Sequence, residues 1–111
     1  MGNSTKKKVE IETMTTGGLV DPIVTVEDVP AEVEVGDKIT PKVTVEKAVG
    51  QPLVGASIDF FTEDTLGTVN LGSRQTTNAS GIATASDSYY VGEPEESQTI
   101  KIVIVIHKKK L

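Results

Sequence analysis

Residues 99–107 read Thr-Ile-Lys-Ile-Val-Ile-Val-Ile-His, and this run limits the fold more than any other stretch of the chain. Ile and Val are branched at Cβ, which stiffens χ1 and fits a pleated surface better than a helix. The run predicts a strand with Ile100, Ile102, Ile104 and Ile106 on one face and Lys101, Val103 and Val105 on the other. The same chemistry runs through the whole chain. Val, Ile and Thr supply 38 of the 111 residues, against 13 from Leu, Ala and Met. Ten glycines and five prolines are spaced along the sequence as turns between short strands would be. No 3.6-residue periodicity appears, so the chain reads as all-β.

Alternation begins at Val9-Glu10-Ile11-Glu12-Thr13 and is interrupted at Gly17-Gly18. Residues 23–27 form a second run between Pro22 and Pro30, and Glu32-Val33-Glu34-Val35 leads into the turn pair Gly36-Asp37. Within 38–46, Ile39, Val43 and Val45 share one parity and face the core. Pro41 cannot donate to a ladder and belongs at an edge or bulge. Ala56, Ile58 and Phe60 share the next inward face. One or two short strands follow within 68–77, then a turn at 78–81, a strand at 82–91, an acidic turn at 92–96 and the closing run. About seven strands with turn signals roughly every 8–12 residues predict an antiparallel immunoglobulin-like β-sandwich. The missing Cys…Trp…Cys core excludes an antibody-type domain. The expected organisation is a flexible basic tail over 1–8, a lead-in strand and linker over 9–22, the sandwich over 23–107 and a second basic tail over 108–111.

Charge separates the same regions. Lys6, Lys7 and Lys8 stand near the start and Lys108, Lys109 and Lys110 near the end, whereas 9–107 holds five basic residues against sixteen acidic ones, a formal −11. Such a body repels phosphate backbones, and neither lysine run carries interleaved aromatics, so nucleic acid is not an expected partner. The longest apolar stretch, 102–106, is far short of the roughly 18 residues a spanning helix needs, so no membrane insertion by this segment is expected.

Two loop motifs narrow the reading. Val43-Thr44-Val45 followed by Gly50-Gln51-Pro52-Leu53-Val54-Gly55-Ala56-Ser57-Ile58-Asp59-Phe60 resembles a stretch of the bacterial immunoglobulin-like repeats of invasin and intimin. Thr76-Thr77-Asn78-Ala79-Ser80-Gly81-Ile82-Ala83-Thr84 resembles the T-T-D-x-x-G-x-A-T turn of the same repeats, with Asn78 where they usually carry Asp. The likeness covers about 23–106, and Asp87 departs from it by standing on an otherwise apolar parity. Independently of any family, Gly50 and Gly55 permit unusual dihedrals on either side of the Pro52-stiffened loop, Gly81 can take positive φ, and Asn78 can hydrogen-bond its own turn. The resemblance implies a spacer or adhesion module of an extracellular or cell-surface prokaryotic protein, repeated in tandem and without chemistry or cofactor of its own. Its implied partners are neighbouring modules of the parent chain or a surface protein or glycan.

Chemistry is sparse in the residues themselves. His107 is the single imidazole and sits beside the lysine tail, with no second histidine for a metal and no positioned serine for a triad. No cysteine is present, which removes thiolate sites and disulfides. Asp37, Glu63, Asp64, Glu93, Glu95 and Glu96 lie in predicted loops where a calcium ion would find oxygens, but at no EF-hand spacing. Asn3 and Asn78 fit the glycosylation pattern. With Phe60 and Tyr89 turned inward, Phe61 and Tyr90 point outward. Val103 and Val105 are either covered by the early strands or a loop, or join Phe61 and Tyr90 as a candidate contact surface for a partner.

Overall fold

The computed structural model describes residues 6–16, 22–64, 67–91 and 99–107. Those residues hold twelve strands and no helix: β1 (Lys6–Thr16), β2 (Ile23–Glu27), β3 (Glu32–Glu34), β4 (Lys38–Ile39), β5 (Lys42–Ala48), β6 (Gln51–Pro52), β7 (Ser57–Asp64), β8 (Gly67–Asn70), β9 (Gln75–Thr76), β10 (Ile82–Thr84), β11 (Tyr89–Tyr90) and β12 (Thr99–His107). The chain is all-β, as its Cβ-branched composition requires. Six strands form one sheet in the order β3-β1-β12-β7-β8, with β9 also paired to β7. Four form a second, β10-β5-β2 with β6 on β5, and β4 pairs with β11.

Side chains from all three sheets meet in one apolar cluster. Ile100, Ile102, Ile104 and Ile106 of β12 have no exposed surface; neither do Val43 and Val45 of β5 or Ile58 of β7. Alternation accounts for this arrangement: one parity of β5, β7 and β12 is largely apolar, and burying those faces together removes the most apolar area from water. Phe60 lies in the cluster and Tyr89 packs against it.

The expected domain boundaries need correction at the start of the chain. Residues 6–8 are not a tail, because Lys6, Lys7 and Lys8 lie in β1 opposite Glu34, Val33 and Glu32 of β3. The opposite charges of Lys8 and Glu32 face each other across the ladder, which favours that pairing. Nor are residues 9–16 a lead-in outside the domain, since β1 lies along β12 in continuous register from Lys8 beside Thr99 to Thr16 beside His107. This ladder is parallel, so the wholly antiparallel arrangement does not hold there. Period-two alternation fixes which face of a strand is apolar but carries no information about its direction.

The strand expected at 82–91 is divided into β10 and β11, and Asp87 falls in the exposed bend between them, which resolves its place on an apolar parity. Pro41 is buried between β4 and β5, where its carbonyl accepts the Ala85 amide at 2.9 Å. Gly17-Gly18, the acidic turn 92–96, Asn3 and the lysines 108–110 lie outside the described residues.

Candidate functional site

The parallel ladder aligns the outward side chains of the large sheet into rows. Glu12, Val103, Phe61 and Asn70 are successive register partners across β1, β12, β7 and β8. Met14, Val105 and Asp59 form the next row, and Thr16, His107, Ser57 and Thr76 the one after. Of the four residues expected at a contact surface, Phe61, Val103 and Val105 therefore share one face. Val103 is buried, bracketed by the Glu12–Lys101 ion pair at 3.3 Å, whereas Val105 and Phe61 are half-buried. The first strand lies beside β12 instead of across this face. Tyr90 is 65% exposed but stands in β11 opposite Lys38, in a different sheet from the other three.

At the end of these rows sits a polar cluster that the sequence does not announce. Arg74 donates to both carboxylate oxygens of Asp59, from Nε to Oδ1 at 3.0 Å and from Nη2 to Oδ2 at 2.8 Å. A bidentate fork of this kind fixes orientation as well as charge. His107 Nε2 also lies 2.8 Å from Asp59 Oδ2, and since an ionised carboxylate only accepts, this nitrogen carries the proton. Thr16 Oγ1 stands 3.0 Å from the other ring nitrogen, Nδ1. The Arg74 hydrogen bonds hold the Asp59 carboxyl below its ordinary value, with His107 adding to the effect and burial opposing it. The hydroxyl beside His107 is that of Thr16, which the sequence reading did not connect with it. Detecting it requires knowing that β1 runs beside β12. Chemically the cluster is a clasp: it ties the ends of β1 and β12 to β7 and to the loop before β9.

Beside the clasp, Asp59, Phe60, Phe61, Asn70, Gly72, Ser73 and Arg74 line an open groove of about 330 Å³. An aromatic ring, an amide, a guanidinium and a hydroxyl thereby border one concavity. Among the described residues no three His, Asp or Glu side chains group as metal ligands. The Asp37 carboxylate accepts the Glu34 amide at 2.9 Å, while Glu93, Glu95 and Glu96 lie outside the described residues.

The turn residues singled out from sequence gather around the loop between β5 and β7. Gly50, Gly55 and Gly81 have φ of 78°, 81° and 77°. Asn78 Oδ1 accepts the amides of Ser80 and Ile82, at 2.9 and 3.1 Å, closing the turn in which Asn78 is exposed. Gly81 packs on Pro52 and on the Val45 carbonyl, where a Cβ would lie 2.4 Å from the oxygen. Buried Thr77 fastens the two loops together by donating to the Leu53 carbonyl at 2.6 Å and accepting the Ala56 amide at 2.9 Å.

Lys7 is the remaining anomaly. Its side chain is 2% exposed, and its Nζ has no hydrogen-bond partner among the described residues. Compared with known proteins, the chain matches no family model, no curated protein and no solved structure.

Proposed function

We propose that the chain is a non-enzymatic immunoglobulin-like sandwich serving as a spacer or adhesion module of a surface-exposed or extracellular prokaryotic protein. The observation that carries this reading is the parallel β1–β12 ladder. A chain that enters along β1 and leaves along β12 does so at opposite ends, about 33 Å apart for the ten steps from Lys6 to Thr16 at roughly 3.3 Å each. Copies joined in series would then extend a stalk instead of folding back. The principal extents of 55 × 25 × 21 Å suit such a unit. The resemblance of the loop motifs to the invasin and intimin repeats supports the same reading, as does the acidic body between lysine runs. Two copies fused head to tail should give a maximum dimension in small-angle scattering close to twice that of one copy. A fusion no longer than the single unit would overturn the proposal. Placement at the cell surface is tested by protease accessibility of the parent protein on intact cells.

The second reading is a glycan-binding module, favoured by the groove at Phe61. Sugar rings stack on aromatic faces while amide, guanidinium and hydroxyl groups fix their orientation. Binding on a glycan array that Phe61→Ala abolishes and Tyr90→Ala leaves intact would support it. A blank array removes it.

A further inference from the structure

We infer that the β1–β12 ladder is a shear clamp that bears tension applied through the two ends of the chain. The inference deepens the spacer reading and rests on it for its occasion, since a spacer between anchored neighbours is pulled from both ends. Tension on Lys6 and His107 draws β1 and β12 in opposite directions along their common axis, because the strands are parallel and are loaded at opposite ends. The hydrogen bonds between them then share the load and must fail together. Strands pulled apart from a common end instead lose their bonds one at a time.

Several observations place the resistance in this ladder. It is continuous from Lys8 beside Thr99 to Thr16 beside His107, without a register shift. The inward row of β12 is fully buried, so sliding the strand by one residue would turn Ile100, Ile102, Ile104 and Ile106 out of the core. The clasp sits where load enters β12: His107 is held to Thr16 of β1 at 3.0 Å and to Asp59 of β7 at 2.8 Å. Midway, Glu12 and Lys101 form an ion pair across the two strands.

Backbone alternation identifies the amides that bear the load. The Val9 amide donates to the Ala31 carbonyl at 2.9 Å, on the β3 side. Successive amides of a strand point to opposite sides, so those of Glu10, Glu12, Met14 and Thr16 face β12 while those of Ile11, Thr13 and Thr15 face away. Proline at 12 therefore removes a ladder bond, whereas proline at 13 removes an amide that faces away from the ladder.

Single-molecule force spectroscopy on the full chain tests the inference, and the absence of native cysteine makes an introduced thiol a unique handle. Pulling from the two ends should give a single unfolding event. Pulling between the first residue and Lys101→Cys, which loads β1 and β12 from a common end, should need several-fold less force. Glu12→Pro should lower the end-to-end force well beyond the small loss expected of Glu12→Ala, which removes only the ion pair with Lys101, while Thr13→Pro stays near wild type. Equal forces in the two pulling directions, or release of β1 in a separate low-force event before the rest of the chain unfolds, would overturn the clamp. If Glu12→Pro does not fold, the comparison of directions still decides. Low force together with an extended tandem scattering profile would remove the clamp and leave the spacer; high force with a folded-back tandem would do the reverse.

Discussion

Lys7 shows how one residue can oppose the rest of its strand. Its neighbour across the ladder is Val33, a core residue, so its Nζ is buried with no acceptor among the described residues. A buried polar group left unpaired costs about 1–3 kcal/mol. Lys7→Met keeps the length and apolar stem and should raise stability by about that amount, read as a higher urea midpoint with an unchanged m-value. Two glycines separate backbone strain from crowding. Gly50 and Gly81 share nearly the same φ, 78° and 77°, but a Cβ at 50 meets nothing within 4 Å and one at 81 meets the Val45 oxygen at 2.4 Å. Gly50→Ala should cost roughly 1–2 kcal/mol for the left-handed conformation, and Gly81→Ala distinctly more. Equal losses in chemical denaturation would mean that the close approach at Val45 relaxes freely.

Among the elements, the strands with strict alternation are legible without coordinates. The inward residues Ile58 and Phe60 of β7 and Ile100 to Ile106 of β12 follow from parity alone, as does the outward position of Phe61. The broken element is not legible: residues 82–91 alternate well enough for one strand, and only the bend at Ser86 and Asp87 divides it. The clasp joins three strands and a loop whose residues are up to 91 positions apart, so no local pattern contains it. Its pH dependence follows from Asp59. The folded carboxyl has a pKa below the ordinary 3.8, so its stabilisation is complete above that value and is lost as pH falls through the lower folded one. Asp59→Asn does not titrate and should flatten the fall of stability below about pH 4. At neutral pH it should cost no more than about 1 kcal/mol, the range of partly exposed ion pairs. Urea midpoints of both proteins across acid and neutral pH check the sign.

For the molecule as a whole, the decisive correction is the place of β1. A boundary at residue 23 looks natural in sequence, because glycines precede it and the family-like motifs follow it. The coordinates instead put β1 between β3 and β12 inside the large sheet. A fragment of 23–107 should therefore lose cooperative thermal unfolding, since β12 would expose its backbone along a whole edge and β3 would lose its partner. A fragment that melts like the full chain would restore the lead-in reading. The sequence by itself determined the all-β class, the apolar faces of the long strands and the glycines of the turns, because these depend on Cβ branching, period-two alternation and local dihedrals. Only the tertiary structure decided the direction and neighbours of β1, the clasp at His107 and the burial of Lys7. Pairing between strands ninety or so residues apart is selected by how the apolar faces close around one core, and nothing within a single strand records which edge it will meet.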